Sequence, residues 1–258
     1  MGRRISLVIL VLSLCFPCNG NSEIRYITEP PENESFGAGE SLFFAVNYGF
    51  VNAGYALLSI DGVVELRGRL CYHIISKAWT NSAFSLFFPV RDRVESFMDV
   101  ERLHSLLFEK HLREGKFKAD KSFAFYQDEH IVRTKKYIMQ IPPRTQDVLS
   151  SLYFARLVEF DVGDTVAIPN HTDGKNYPLA IVVHKRDTVE VPAGKFSTFM
   201  VEPILVGEGV FQQKGRMWVW LTDDTRKLPV MMKSKIVIGS IDAVLVDFTY
   251  GEPYSAER

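Results

Sequence analysis

The sequence predicts an all-β protein in which an antiparallel meander of strands curls into an open barrel or spiral. Two observations favour this fold class. Apolar residues recur at every second position over most of the chain, as in Leu42, Phe44 and Val46, which is typical of strands with one buried face. About a dozen such runs are separated by short turns, and a sheet of that length must curl or be covered to protect its edges.

The composition excludes several classes of protein. The 258 residues are 47% hydrophobic and 24% charged, with 17 Gly and 12 Pro, which excludes a disordered or collagen-like chain. Thirty Lys and Arg against 31 Asp and Glu leave a net charge of −1. We therefore expect no nucleic-acid partner, because the chain has no overall basic field to neutralise phosphates.

The strands are predicted in order from Gly39, and Asp61-Gly62 is interpreted as a tight turn after the second strand. The charged residues of the region 109–121 are interpreted as a solvated sheet face: Glu109, Lys110, Arg113, Lys116, Lys118, Asp120 and Lys121. The predicted strands cover 42–48, 55–60, 70–79, 89–99, 106–108, 117–126, 131–141, 165–169, 177–185, 187–192, 195–206, 209–221, 228–238 and 242–250.

One segment departs from the period of two. Between 147 and 158 the apolar residues are spaced by three and four, which predicts one short helix. Pro142-Pro143 ends the strand before it, and Thr145 or Asp147 can cap its first turn.

The N-terminus has the pattern of a secretory signal peptide. Arg3 and Arg4 precede an apolar run over 5–17, and small residues follow, so we expect cleavage near Gly20 and export across the cytoplasmic membrane. An uncleaved anchor and lipidation at Cys15 or Cys18 stay open as alternatives. After cleavage no apolar run reaches 18 residues, so we expect no integral membrane span.

The domain organisation follows from these elements. Residues 1–20 form the predicted signal peptide, 21–38 a polar, extended and poorly ordered lead-in, 39–250 the β domain and 251–258 a tail. The halves 39–141 and 163–250 share a weak order of motifs. Two similar β lobes joined by the helix are therefore an alternative to one continuous sheet.

Several short motifs occur together in one order along the chain. They lie at 39–54, 147–156, 191–196, 220–230 and 238–241, and the most distinctive are Gly194-Lys195-Phe196 and Trp220-Leu221-Thr222-Asp223-Asp224. With these motifs the chain resembles the DUF3108 family of exported bacterial proteins of unknown function, over about residues 37–250. The resemblance implies a secreted, β-rich protein of the cell envelope of a Gram-negative bacterium, and it implies no catalytic residues. In such a cell the predicted signal peptide directs the chain to the periplasm, and association with the outer membrane stays open as an alternative.

No familiar catalytic or metal-binding motif is present. The six His have no helical zinc spacing, and Cys71 is the single Cys beyond the signal peptide, so we expect no metal and no cofactor. Cys71 itself is interpreted as a small buried strand residue. We expect no enzymatic activity. A hydrolase of an envelope polymer, with a carboxylate pair such as Glu202 and Asp223 or Asp224, is the minority alternative.

Aromatic residues provide the candidate ligand-binding site. Phe84, Phe87 and Phe88 lie close together, and Trp218 and Trp220 are two apart, so on a strand they share a face. We predict that they line an apolar groove of the curled sheet that binds a lipid or other apolar ligand. Core packing of these aromatics and a membrane-contacting loop at 82–88 are alternatives. A structural or protein-interaction role in envelope integrity, with an envelope protein as partner, is the alternative function.

Overall fold

A computed structural model describes residues 24–27, 29, 31–206, 216–235 and 239–255. Fifteen strands form one large sheet, and two more form a separate hairpin. The strands are β1 (Ile24–Tyr26), β2 (Ser41–Tyr48), β3 (Val51–Leu66), β4 (Arg69–Thr80), β5 (Arg91–Asp99), β6 (Ser105–Glu114), β7 (Phe117–Tyr126), β8 (Ile131–Arg133), β9 (Ile138–Gln140), β10 (Thr165–Ile168), β11 (His171–Thr172), β12 (Lys175–Asn176), β13 (Leu179–Val191), β14 (Gly194–Leu205), β15 (Arg216–Thr222), β16 (Pro229–Lys235) and β17 (Ser240–Thr249), and the helices are α1 (Ser82–Ser85) and α2 (Val148–Leu157).

The large sheet is a curled and open meander. Its strand order is β1-β10-β13-β14-β15-β16-β17-β2-β3-β4-β5-β6-β7-β8-β9, so β17 joins the C-terminal strands to β2. Within the described ranges the sheet is not closed, and β1 and β9 are its edges. The predicted all-β fold is confirmed, with one difference in the pairing: β1 is parallel to β10, so the sheet is mixed. Whether the two halves are related modules stays a prediction.

Two predicted strand boundaries are wrong because bulges keep a strand continuous. Asp61-Gly62 lies inside β3, which pairs with β4 on both sides of a bulge between Ile60 and Gly62. The turn comes later, at Arg67 and Gly68, which have φ of 54° and 76°. In the same way the predicted strands 177–185 and 187–192 are one strand, β13, with a bulge after Val183. A β-bulge inserts one extra residue into one of two paired strands, and the pairing continues on both sides of it.

The predicted strand 131–141 is divided into β8 and β9. The Thr134 Oγ accepts hydrogen bonds from the backbone N–H groups of Lys136 and Tyr137, which stabilises a turn between the two strands. The signal peptide, and the parts of the predicted strands and turn at 207–215 and 236–238, lie outside the described residues. The remaining parts of those strands are β15 and β16.

The segment before β2 packs against the core. Phe36 is fully buried, with its ring edge-on to the rings of Tyr72 and Tyr153 at 5.6 and 4.8 Å. The Asn33 amide donates to the Tyr72 hydroxyl at 3.1 Å. The predicted poor order therefore does not hold for residues 33–38, because this segment covers apolar side chains at the end of the curled sheet.

Helix α2 confirms the predicted helix at 147–158. Asp147 is its N-cap: Oδ1 accepts from the backbone N–H groups of Leu149 and Ser150 at 2.7 and 3.0 Å, and the Ser150 hydroxyl accepts from the Asp147 N–H. This reciprocal capping box satisfies donors that the first turn leaves free. The helix packs on the concave side of the sheet, where eight of its ten residues are buried.

A candidate apolar cavity between the sheet and helix α2

An apolar cavity of about 140 Å³ lies between the concave face of the sheet and α2. Most of its wall is aliphatic or aromatic. Phe44, Leu58 and Phe108 contribute from the sheet, and Leu149 and Leu152 contribute from the helix. Because alternate residues of a strand share a face, the inward-facing rows of β2, β15, β16 and β17 present their apolar side chains to the helix.

The polar part of the wall is built around one buried cation. Lys110 of β6 is 3% exposed, and its Nζ donates to Asp173 Oδ1 at 3.1 Å. Lys121, which lies directly opposite Lys110 in β7, donates to the same oxygen at 3.4 Å. Asp173 belongs to the turn of the β11–β12 hairpin and is 44% exposed, so this end of the cavity is open to solvent.

The charges of this group are adjusted by burial and by each other. Burial lowers the pKa of Lys110, although Asp173 opposes that shift. Burial of Asp173 acts in the direction of a higher pKa, but the ammonium groups of Lys110 and Lys121 outweigh it and hold the pKa of that carboxyl below its usual value. Two lysines thus share one carboxylate, which leaves a surplus of positive charge beside an apolar cavity.

The interpretation of Lys110 as part of a solvated sheet face is wrong. Lys110 alternates with Phe108 and Leu112, which are both buried, so it belongs to the inward-facing row. The period-two pattern already contained this signal. The neighbouring charged residues Glu109 and Arg113 have the opposite parity and are partly exposed.

The five predicted aromatic residues lie outside the cavity, three in and after α1 and two in β15. Phe87 and Phe88 follow α1 and are exposed, and Phe84 within α1 is half-buried. Trp218 and Trp220 share a face as expected, but they alternate with Met217, which lines the cavity, and so lie on the opposite face. None of these five described residues belongs to the cavity wall. Their role in ligand binding stays a prediction that the cavity does not support.

The surroundings of the two tryptophans explain their placement. The Arg216 guanidinium lies 4.9 Å from the Trp218 ring centroid, and the Trp220 indole N–H donates to Asp187 at 3.4 Å. Trp220 is nevertheless buried in the hydrophobic core and Trp218 packs against that core, which supports the alternative of core packing for these two residues. Alternation showed that the tryptophans share a face, but it did not show which face is concave.

The carboxylates of the minority hydrolase alternative are each engaged by different groups. Glu202 accepts from Arg216 at 2.8 and 2.6 Å and contacts His184 at 2.7 Å. Burial acts to raise the pKa of Glu202, but these partners outweigh it and lower the pKa, whereas a general acid needs a raised one. Asp223 pairs with Arg186, and Asp224 accepts backbone hydrogen bonds within its own turn.

Three further observations concern chemistry and membranes. Cys71 is buried, as predicted, and desolvation raises its pKa to about 11, whereas an activated nucleophile needs a lowered pKa.

In the part of the chain that the structure describes, no group of three or more His, Cys, Asp or Glu side chains could hold a metal ion. Among those same residues no helix has the length and apolar character needed to cross a bilayer. The absence of enzymatic activity stays a prediction.

His104 leads to a prediction for the pH dependence of stability. It is 3% exposed, and burial lowers its pKa to about 4 from the usual 6.5. Because the unfolded chain binds the proton more tightly, the stability that neutral His104 provides is present above pH 6.5 and is lost as the pH falls towards 4. Between pH 7 and 4.5 we expect this group to remove about 2.5 kcal/mol.

The measurement is urea unfolding at both pH values, for the wild type and for His104→Phe. We expect the pH-dependent loss of stability to be smaller in the variant by about that amount. An equal loss in the two proteins would show that His104 ionises normally in the folded state.

Sequence comparison decides the family. The sequence profile of DUF3108, whose description is a protein of unknown function, matches residues 44–246. The chain belongs to the DUF3108 family. No curated protein matches this DUF3108 chain.

Solved structures match most of this chain. The β-barrel-like protein of the domain of unknown function DUF1849 from Brucella abortus has a TM-score of 0.55 and 11% identity, over 89% of this chain and 100% of that chain. At this identity the similarity shows a shared fold alone. A candidate exported protein of Bacteroides fragilis with a YmcC-like fold has a TM-score of 0.32 and 12% identity, over 83% of this chain and 97% of that one. A candidate lipoprotein of Parabacteroides distasonis also has a TM-score of 0.32. Its sequence identity is 9%, over 84% of this chain and 100% of that one.

Proposed function

We propose that this DUF3108 protein is a non-enzymatic protein of the periplasm that binds an amphiphile with an acyl chain and an anionic head group. The observation that carries the proposal is the apolar cavity with Lys110 in its wall. A cavity with apolar walls and a few well-placed polar groups is the usual form of a small-molecule site. The predicted signal peptide supports the location.

The size of the cavity limits the part of the ligand that it can enclose. A cavity of roughly 150 Å³ with apolar walls holds one benzene molecule, which corresponds to about six carbon atoms. The cavity of about 140 Å³ therefore suits a short alkyl segment or one ring. A longer acyl chain must extend beyond the enclosed part.

The charges favour an anionic head group. Lys110 is almost fully buried, whereas its carboxylate partner Asp173 is much more exposed. A ligand anion can therefore take the place of the Asp173 carboxylate beside Lys110. In this arrangement Asp173 acts as an internal competitor of the ligand. Lys121 stays available to neutralise Asp173 when the ligand is bound.

The first test is a chain-length series of alkanoates, from propionate to dodecanoate, measured by isothermal titration calorimetry. We expect Kd to fall about fourfold for each added methylene until the enclosed cavity is filled, and less steeply afterwards. Ala243→Trp, which fills the cavity from β17, should weaken binding by at least about tenfold. Ala124→Trp on the outward-facing row of β7 is the matched control and should bind normally.

A second prediction concerns two charge substitutions that should change the affinity for dodecanoate in opposite directions. Lys110→Met should weaken dodecanoate binding by at least about tenfold, since a charge-assisted hydrogen bond is lost. Asp173→Asn should strengthen it several-fold, because the internal competitor is removed. Both variants should bind dodecanol like the wild type, because the alcohol has no charge.

These measurements also separate the alternatives. Equal affinity of wild type and Ala243→Trp would contradict a cavity site. Binding of neither alkanoate nor alkanol would favour the structural or protein-interaction role instead.

A further inference from the structure

Three neighbouring tips at one end of the sheet expose large apolar side chains. Phe50 and Val51 at the β2–β3 tip are 107% and 57% exposed, and Leu86 and Phe87 after α1 are 84% and 89% exposed. Phe117 at the β6–β7 tip is 42% exposed. Scattered apolar residues are ordinary on protein surfaces, but a contiguous group of them marks an interaction site.

Hydrogen bonds hold the three tips side by side. The Asn81 amide donates to the Asn52 carbonyl at 2.7 Å, and the Asn81 backbone N–H donates to the Ala53 carbonyl, which joins the α1 segment to the β2–β3 tip. The Gly115 N–H donates to the Pro89 carbonyl at 2.7 Å, which joins it to the β6–β7 tip. We call these three segments, 49–52, 82–91 and 115–118, the apolar rim.

The junctions of the apolar rim are closely packed and hydrogen-bonded. Gly115 has φ of 57° and lies so close to the Phe88 ring that an added Cβ would be 3.0 Å from it. Asn81 also caps α1, since its Oδ1 accepts from the Phe84 N–H at 2.9 Å. The exposed side chains are therefore carried by segments that contact one another.

The charged side chains of the apolar rim are all positive. Within its three segments the charged residues are Arg91, Lys116 and Lys118, which are all exposed. Exposed apolar tips flanked by basic side chains match the two components of an anionic membrane surface: the apolar side chains enter the interfacial region and the cations contact the lipid phosphates.

The cavity extends towards the same end of the sheet. Met217, Ser234 and Ile241 line it, and they pair in register with one another and with Tyr48, the last residue of β2. The Gly49 N–H donates to the Ser240 carbonyl at 3.1 Å, which places this end of β17 beside the β2–β3 tip. The apolar rim thus lies next to the strand ends that contribute to the cavity.

We propose that the apolar rim docks this protein on the surface of a lipid bilayer that contains anionic lipid. The inference goes beyond the proposed ligand binding and does not require the cavity to be occupied. If the cavity does bind an acyl chain, docking brings its strand ends to the place where such chains are exchanged.

The test is co-sedimentation of the whole protein with vesicles of phosphatidylcholine, alone or mixed with phosphatidylglycerol. We expect the wild type to bind the mixed vesicles. Phe50→Ser with Phe87→Ser should reduce this binding by at least about tenfold, because two fully exposed aromatic side chains are removed from the interface. Leu70→Ser with Val162→Ser removes exposed apolar residues away from the rim and should bind like the wild type.

The contribution of charge is tested separately. Lys116→Gln with Lys118→Gln should weaken binding to the mixed vesicles by about fivefold for each lysine and leave binding to phosphatidylcholine unchanged. If the Phe50/Phe87 variant has a lowered Tm, Leu86→Ser replaces it, since that side chain is also almost fully exposed.

Three results would overturn the proposal. The wild type does not bind vesicles, the Phe50/Phe87 variant binds them as tightly as the wild type, or the Leu70/Val162 control loses as much vesicle binding as the Phe50/Phe87 variant. A dimer that dissociates in the rim variant without vesicle binding would assign the surface to a second copy of the chain. Dodecanoate binding in solution, measured on the same variants, separates the two proposals. The rim variant should retain it, and its absence in a wild type that binds vesicles would remove the cavity proposal alone.

Discussion

Replacement of Arg156 by Met is expected to lower the free energy of unfolding by about 3–5 kcal/mol. Arg156 of α2 donates to both carboxylate oxygens of Glu40 at 2.7 Å, and both side chains are fully buried. The guanidinium also lies 5.0 Å from the Tyr153 ring centroid and donates to the carbonyls of Ser35 and Arg226. The variant leaves the Glu40 charge buried without its partner, and this uncompensated charge is the main cost.

The measurement is urea unfolding followed by tryptophan fluorescence. The double variant Glu40→Gln with Arg156→Met should recover part of the loss, since no buried charge then remains. Arg102→Met is the surface control, because Arg102 and its partner Asp128 are 53% and 77% exposed, and such pairs contribute less than about 1 kcal/mol. An Arg156 variant as stable as this control would mean that water reaches Glu40 in the folded protein.

Asp147→Ala is expected to destabilise the fold by about 3 kcal/mol or more, through two effects. The helix loses its N-cap, which costs about 1 kcal/mol. In addition, Asp147 Oδ2 accepts from the hydroxyls of Ser96 and Ser105 at 2.6 and 2.5 Å, and both serines are fully buried on the sheet. The variant leaves these hydroxyls without their acceptor, at about 1–3 kcal/mol for each unsatisfied group.

This carboxylate connects the start of α2 to β5 and β6, so its loss should affect the cavity as well. Val148, Leu149 and Leu152 of the first turns line the cavity, and we expect weaker dodecanoate binding by the folded fraction of Asp147→Ala. Ser150→Ala is the matched control: it removes the reciprocal bond of the capping box and a long bond from the same hydroxyl to the Asp147 carbonyl, and its loss should be about 1 kcal/mol or less. Thermal unfolding monitored by far-UV circular dichroism distinguishes the two. Equal losses would show that the serines of the sheet find other partners.

Local signals were sufficient for most of the elements. The limits of β7 match the predicted 117–126, and α2 begins directly after the predicted cap Asp147. Periodicity and capping are properties of neighbouring residues, so they can be recognised without the rest of the chain. The predicted turn at Asp61-Gly62 was wrong for the opposite reason. Whether Asp-Gly forms a turn or a bulge depends on the partner strand, and β4 pairs with β3 on both sides of these residues.

The candidate site was predicted in kind but not in its residues. The expectation of an apolar space inside a curled sheet agrees with the cavity, whereas the predicted aromatics lie outside its wall. Lys110 could have been recognised from its alternation with Phe108 and Leu112. Its partner Asp173 could not, because the two residues are 63 positions apart and Asp173 lies in the turn of the separate β11–β12 hairpin.

By itself the sequence determined the all-β class, the single substantial helix and the family, because these depend on local alternation, capping and short motifs. Only the tertiary structure decided which face of each strand is concave, which lysine is buried and which tips meet at the apolar rim. The physical reason is that alternation assigns residues to two faces without naming the inner one. The direction in which the sheet curls, set by pairing between distant strands such as β17 and β2, makes that assignment.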